Sequence, residues 1–479
     1  MNFQDVTSAP IPKEFLAIIL AGFGNELHPL TGNHGDEPCP KALLPIANKP
    51  MISYTLTWIE ESGIQDVLIV CPATHREALS NYLQSDEFSS TLVVNFEAYD
   101  SNDPSTGAME VLAAAAPRCQ TDFVLLSCDF IPHPSLPLSS VLNEFRVATD
   151  GALAISLFYE ASVLDKSEEV AFLEKPPVVI VDPSTSSLLH VDYSHANEEE
   201  LDLRMSLTWK FPRTRLLANF TDSHVYVCRR AVLDLIVDRA KGFDSFREDF
   251  VPWLCKLQYQ RRRREKFTAV LSHNIRSSPS SALRHSTRYS ASSKRDRTVA
   301  PTSSDTSDDE GPLEQTLRCG ALLHRAKDGY VTRTNNLYAY SEANRRVLAT
   351  VLASAPAPSG KPAPSQNADS LIAESSRVGE RTSVKKSVVG RHCTIGKNVK
   401  IAGSVIGDHC IILDGAHLEN CILSQHTRVG EKAELIRCQT QAGLEVEAGA
   451  KFKGEKLEVD SWAEGHGDSE EEGSESESE

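Results

Sequence analysis

Between Leu371 and Phe452, large apolar residues return every 17 positions. Ile372, Val389, Ile406, Leu423 and Thr440 form one series. Val378, Ile395, Ile412, Val429 and Val446 form a second, and Val384, Ile401, Leu418, Leu435 and Phe452 a third. Fourteen of these fifteen residues are large and apolar, and within one turn they stand five or six residues apart. The residue two before each is usually small, as at Cys393, Ser404, Cys410, Ala416, Cys421 and Ala433. A coil with three flat faces makes this demand, since each face buries one branched side chain and each corner needs room for a tight turn. The pattern predicts a left-handed parallel β-helix of hexapeptide type over 371–457. Gly379, Gly390, Gly396, Gly407 and Gly430 follow the apolar residues, where the corner backbone is expected to turn. An ordinary antiparallel sheet would alternate with period two and has no cause to hold a 17-residue register.

The N-terminal half carries a different pattern. Short continuous apolar runs predict strands at Phe15–Leu20, Asp66–Cys71, Thr91–Phe96 and Asp122–Ser127. Helical spacing falls between them, at Met51–Glu61, Thr74–Leu83 and Thr106–Ala116. Buried strands alternating with helices imply an α/β, Rossmann-like domain with a mostly parallel sheet and helices on both faces. Ligands of such sheets bind at the carboxyl ends of strands, near a switch in strand order. The loop Ala21-Gly22-Phe23-Gly24-Asn25-Glu26 follows the first strand, and Asp129 follows the fourth.

Composition divides the chain further. Residues 1–257 read as the α/β domain. Residues 258–315 open with the basic run Arg261–Arg264, turn rich in Ser and Arg, and end acidic; with few apolar residues, they are expected to form a disordered insertion. A compact segment at 316–353 completes the N-terminal domain and includes a helix expected at Glu342–Val351. A Pro/Ala-rich linker follows at 354–370, then the β-helix, then an acidic tail at 458–479. The whole carries 66 acidic against 49 basic residues, a net charge of −17, which disfavours a global nucleic-acid binder. No apolar stretch approaches a membrane span and Met1–Pro12 lacks a secretion pattern; eleven cysteines without a C-x-x-C pair suit a reducing compartment, so the cytosol is expected. Cys393 with Cys410 and Cys421 with Cys438 lie one period apart and are expected to stack as small core residues; no metal site is expected.

A glycine turn between strand and helix lets backbone amides approach a phosphate. Lys41, in Pro40-Lys41-Ala42-Leu43-Leu44-Pro45, brings an ammonium within reach of such a phosphate, and Asp129 is placed to hold its metal. On this fold, with a β-helix behind it, the combination resembles the nucleotidyltransferase family of sugar-phosphate pyrophosphorylases. Its loop motif G-G-x-G-T-R-L-x-P-L-T aligns with Ala21 to Thr31. Asn25 and Glu26 then stand where that family has Thr-Arg. The resemblance implies that the missing arginine would have stabilised phosphate charge. At about 4 Å and an effective dielectric near 20, reversing that charge costs several kcal/mol, roughly a thousandfold or more in rate. The site is therefore expected to be a relic in which Gly22, Gly24, Lys41 and Asp129 persist, with no cofactor required and a bound nucleotide still conceivable.

Pro40 to Tyr54, Ser105-Thr106-Gly107, Cys128-Asp129-Phe130, Asn335 to Arg346 and Phe452-Lys453-Gly454-Glu455 resemble the gamma subunits of translation initiation factor 2B, fungal ones in particular. Epsilon subunits carry an added helical-repeat domain that performs exchange; here Ser-rich acidic residues follow the β-helix instead. The resemblance implies a non-catalytic subunit that pairs with epsilon, joins the other subunits, and supports exchange of GDP for GTP on initiation factor 2, with no direct nucleic-acid or membrane contact. Outward residues between Val384 and Leu435 are the expected partner surface. Two other readings stand beside it: an active GDP-mannose or glucose-1-phosphate pyrophosphorylase, against which Glu26 argues, and a regulatory subunit that senses a sugar nucleotide through Gly22, Gly24 and Lys41. Ser469, Ser474 and Ser476 each have Glu three residues later, a pattern for acid-directed kinases set against a plain solubilising tail.

Overall fold

The computed structural model describes residues 13–35, 37–85, 88–99, 107–148, 152–160, 176–193, 201, 203–239, 242–273, 317–354 and 369–459. The chain falls into two compact units, one of Met1–Leu27 with Pro38–Val347, the other of His28–Glu37 with Leu348–Glu479.

In the first unit, β1 (Phe15–Leu20) leads through α1 (Met51–Glu61) to β2 (Asp66–Pro72), and α2 (Ala73–Gln84) to β3 (Val93–Tyr99). Next come α3 (Ala108–Ala115), β4 (Asp122–Ser127), α4 (Leu138–Val147) and β5 (Ala152–Glu160). Then follow β6 (Val178–Asp182), β7 (Ser187–Asp192), β8 (Arg215–Leu217), β9 (Phe220–Cys228) and α5 (Arg230–Arg239). Helix α6 (Arg261–His273), β10 (Arg318–His324) and the first part of α7 (Leu337–Ser354), up to Val347, complete the set. One ten-stranded sheet runs β8-β6-β7-β10-β5-β9-β4-β1-β2-β3. Strands β4-β1-β2-β3 are parallel, while β9 pairs antiparallel with both β4 and β5. Alternate residues of β1 serve opposite faces: Ile18 joins a core with α3, α5 and α6, while Ala17 and Ile19 join one with α1, α2 and α4. The chain turns back between β1 and β4, so the carboxyl ends of these two strands flank the switch in strand order.

The elements expected at Phe15–Leu20, Met51–Glu61 and Asp122–Ser127 form over those residues. The insertion expected from 258 does not begin as one. Arg261–His273 is a helix whose Phe267 and Leu271 are buried, Phe267 edge-on to Trp253 with centroids 5.2 Å apart. Two apolar residues spaced i, i+4 on a basic helix are enough to anchor one face, and Arg261 pairs with Glu265 along the other. The remainder of that insertion from 274, the linker over 355–368, Ser105-Thr106 and the tail from 460 lie outside the described residues.

The second unit is the parallel β-helix. Short strands stack into sheets of six, five and five, and neighbouring coils keep the 17-residue register: Val389 lies against Ile406, Ile395 against Ile412, Ile401 against Leu418. Val389, Ile395, Ile401, Ile406, Ile412, Leu418, Leu423, Val429 and Leu435 are all buried and form one core with Cys393, Cys410, Cys421 and Cys438. Val378, on an end coil, is exposed instead. All eleven cysteines are free and buried. The glycines after the apolar residues serve another purpose than expected. A Cβ at Gly379, Gly407 or Gly430 would come within 2.5–2.7 Å of the next coil's backbone, so these residues permit close approach between coils. Left-handed corner conformations belong instead to Asn398, Asn420, Lys432, Gly403 and Gly415, and to a column of histidines.

Candidate functional site

The loop after β1 closes tightly. Ala21 donates its backbone N–H to Val70 O on β2, and Leu27 donates to Gly24 O, closing a single 3-10 turn over Asn25–Leu27. Gly24 takes φ +79°, and a Cβ there would meet the Lys41 side chain at 2.8 Å, so only glycine lets the lysine stem cross at this height. Gly22, Asn25 and Glu26 are exposed, and nothing lies within 4 Å of a Cβ built on Gly22. Lys41 itself is buried at the start of a short 3-10 turn, Lys41–Leu43, that follows Pro40.

From there Lys41 donates from Nζ to Asp129 Oδ2 at 2.5 Å. Asp129 is fully buried just beyond β4. Its Oδ1 accepts from Ser127 Oγ at 2.5 Å and from Arg333 Nε at 3.1 Å, and Arg333 adds a second donor to Oδ2 at 3.2 Å. The guanidinium thus grips both carboxylate oxygens in the forked geometry that arginine favours. Thr334 secures the Asp129 carbonyl with its N–H and its hydroxyl, at 2.9 and 3.0 Å. Burial alone would raise the Asp129 carboxyl, but the charges and hydrogen bonds of Arg333 and Lys41 overrule it and hold the group well below its usual range. Two cations against one anion leave the cluster at +1.

Both oxygens that would coordinate a divalent ion already accept hydrogen bonds from cations, and an ion there would add two positive charges beside two existing ones. The residues present do not fit a metal at Asp129. Among the described residues no group of three or more His, Cys, Asp or Glu is arranged to hold one elsewhere.

Around the cluster lies a buried polar layer. Asp222 accepts from the hydroxyls of Tyr193 at 2.7 Å and Tyr226 at 2.5 Å, and from the N–H of His224 at 2.9 Å. His224 stands at φ +56° where the β9–β5 register shifts, and its Nε2 is buried without a hydrogen-bond partner. Burial first, then the positive charge of Arg333 and Arg247, pushes this imidazole well below its ordinary value. A further anchor comes from α7: Asn344 Oδ1 accepts from the backbone N–H of Ala47 at 2.9 Å, holding that residue at φ +47°.

Of the residues singled out from sequence, Gly24, Lys41 and Asp129 converge, while Gly22, Asn25 and Glu26 lie on the exposed side of the loop. Arg333 and Asn344 were missed as site residues. Arg333 belongs to no recognisable motif and stands 204 residues from its partner. Asn344 lies within the run Asn335 to Arg346, whose resemblance marks the stretch but not its contact with Ala47.

Two family models match the chain: nucleotidyl transferase over residues 16–161, and the eIF2B subunit epsilon LbH domain over residues 364–452. Among curated proteins, the translation initiation factor eIF2B subunit gamma of Schizosaccharomyces pombe is 33% identical over 351 residues, 72% of this chain and 68% of that protein. The Dictyostelium discoideum protein of the same name is 25% identical over 433 residues, covering 79% of this chain and 88% of that protein. For the Caenorhabditis elegans gamma subunit the identity is 28% over 254 residues, 52% of this chain and 59% of that protein.

Proposed function

The chain belongs to the family of eIF2B gamma subunits, and from that premise we propose that it serves the eIF2B complex as a non-catalytic partner of the epsilon subunit, supporting exchange of GDP for GTP on initiation factor 2 in the cytosol. The observation that carries the non-catalytic reading is the occupied carboxylate of Asp129, which is held by Lys41 and Arg333 where a nucleotidyltransferase would need it free for metal. Gly24, Lys41 and Asp129 then persist as structural residues of a former nucleotide site, and Gly22 as an exposed remnant of it. Exposed Glu26 would repel phosphates at its rim, and no cofactor is required. Initiation factor 2 and the other eIF2B subunits are the partners; nucleic acid and membrane are not.

The β-helix supplies the pairing surface in this reading. Ile411 projects from a coil face at 42% exposure, with Thr394 and Arg428 beside it in register. An apolar residue amid polar neighbours on a rigid face makes an anchor for a partner of similar repeat.

A tagged copy of the chain purified from its own cytosol tests the assembly, and pyrophosphate release from a nucleoside triphosphate and a sugar phosphate tests the chemistry. Recovery of a longer relative with a helical C-terminal extension, together with initiation factor 2, and no pyrophosphate above background, is the expected result. Recovery of a homo-oligomer that releases pyrophosphate would overturn it. Ile411→Asp is expected to weaken epsilon capture while leaving the melting curve of the chain unchanged.

A further inference from the structure

One corner of the β-helix carries a column of imidazoles. His392, His409 and His426 lie 17 residues apart, each with φ between +54° and +60°. Their rings stack at 5.1 Å and 4.9 Å, the upper pair within 3° of parallel. The next residue in the column, by the same step, is Gly443, at φ +75°. The place its side chain would fill is taken by a residue from far away in sequence. His34, in the segment 28–37 of the same unit, stacks on His426 at 5.0 Å and 5°. A Cβ on Gly443 would stand 2.3 Å from His34 Nδ1. The missing side chain is therefore what admits the histidine.

The rest of the segment is tied to the same coils. His34 and Glu37 exchange backbone hydrogen bonds at 2.9 and 3.0 Å, shaping the turn that presents the ring. Gln441 Nε2 donates to Asn33 O at 3.1 Å, and its side chain packs against the open face of Gly32. His28 Nδ1 lies 3.3 Å from Glu458. In sequence, this strap is the stretch joining the glycine loop to Lys41.

We propose that segment 28–37 is a proton-sensitive latch on the β-helix, closed by insertion of His34 above His426 in the gap left by Gly443 and opened when His426 takes a proton. Stacked neutral imidazoles attract through ring contact; stacked imidazolium cations about 5 Å apart repel. The charged groups facing the column act in both directions. Burial, then His409 and His34, disfavour protonation of His426, whereas Glu37 on the strap and Asp408 on the preceding coil favour it. Asp408 is itself near Arg391, at 3.6 Å, which weakens its help. The balance lowers His426 below its ordinary 6.5. The closed latch therefore binds fewer protons than the open one: closure is fully favoured above about pH 6.5 and weakens as pH falls below it.

Hydrogen exchange of the full-length chain, corrected for the intrinsic pH dependence of exchange, reads the latch directly in peptides covering 28–37. Opening is expected to rise about tenfold between pH 7.5 and pH 5.5, the scale of holding one charged imidazole out of water against its stacked neighbours. His34→Phe keeps a stacking ring that cannot be charged but still buries His426, so its strap is expected to open less in acid than the wild-type strap. Gly443→His fills the gap, and its strap is expected to exchange freely at both. Peptides from the coil core around Ile412 report in each case that the β-helix has folded. A wild-type strap with equal protection at the two pH values, or His34→Phe opening as much as wild type in acid, would overturn the proposal. So would a strap that stays protected in a folded Gly443→His chain.

Discussion

Removing Arg333 tests whether the Asp129 cluster is a stability element in place of a catalytic one. In Arg333→Met, Asp129 loses two donors at 3.1 and 3.2 Å but retains Lys41 and Ser127, so the carboxylate remains paired and the cluster becomes neutral. The expected loss is about 2–3 kcal/mol, below the full cost of orphaning a buried ion. Asp129→Asn is the harsher change, because it leaves Lys41 and Arg333 facing each other across an amide. Two buried cations at roughly 5 Å and an effective dielectric near 20 repel by about 3 kcal/mol, and the lost hydrogen bonds bring the total to about 4–5 kcal/mol. At about 2 °C per kcal/mol for a unit of this size, Arg333→Met should melt about 5 °C low and Asp129→Asn about 10 °C low. Buried Trp58 and Trp253 supply the fluorescence readout. The pH dependence adds a sign. In the parent, the depressed Asp129 carboxyl contributes stability that is present above its ordinary value of 3.8 and lost as pH falls toward acid. With both cations removed, in Lys41→Met/Arg333→Met, burial outweighs the remaining Ser127 hydrogen bond and raises the carboxyl, so stability should fall as pH rises from about 4 to 8. An Arg333→Met chain melting within about 1 °C of the parent, or no more tolerant than Asp129→Asn, would refute the reasoning.

Three further outcomes follow from the same structure. Ile412→Asp buries an unpaired charge between Ile395 and Val429 and should cost more than about 4 kcal/mol, seen as loss of the β-helix transition in circular dichroism and of assembly with partners. Gly407→Ala forces a Cβ to within 2.7 Å of Gln425 N and should destabilise by roughly 1–3 kcal/mol in urea titration, whereas Gly22→Ala, with open space, should change stability by less than about 0.5 kcal/mol. His224, depressed by burial and by Arg333 and Arg247, favours the folded state above about pH 6.5 and loses that contribution as pH falls, by up to about 1.4 kcal/mol per pH unit. Replacing it in His224→Asn, a residue that tolerates φ near +56°, should flatten the fall in urea midpoint between pH 7.5 and 5.5.

Repetition made the β-helix legible from the chain alone. A fixed 17-residue step leaves one arrangement in which every series stays buried, so the register Val389–Ile406–Leu423 could be written down without coordinates. The parallel core around β1 and β4 was legible for a related reason: continuous apolar runs require cover on both faces. What depended on contacts between distant segments was not legible. Arg333 meets Asp129 across 204 residues, and no local periodicity marks a guanidinium that will be buried against a carboxylate. Seen in sequence, Lys41 and Asp129 suggested a phosphate and its metal; in the folded chain they pair with each other, and a third residue, Arg333, adds a second cation to the same carboxylate. The five glycines after the apolar residues were visible, but their purpose depends on the backbone of the next coil. His34 shows the division most plainly. The spacing of His392, His409 and His426 was fixed by the repeat, whereas the gap at Gly443 acquires meaning only once the strap is folded onto the same corner. A chain's own pattern determines what repeats and what must be buried; the tertiary structure decides which distant charge or ring meets it there, because that choice is made by proximity in space.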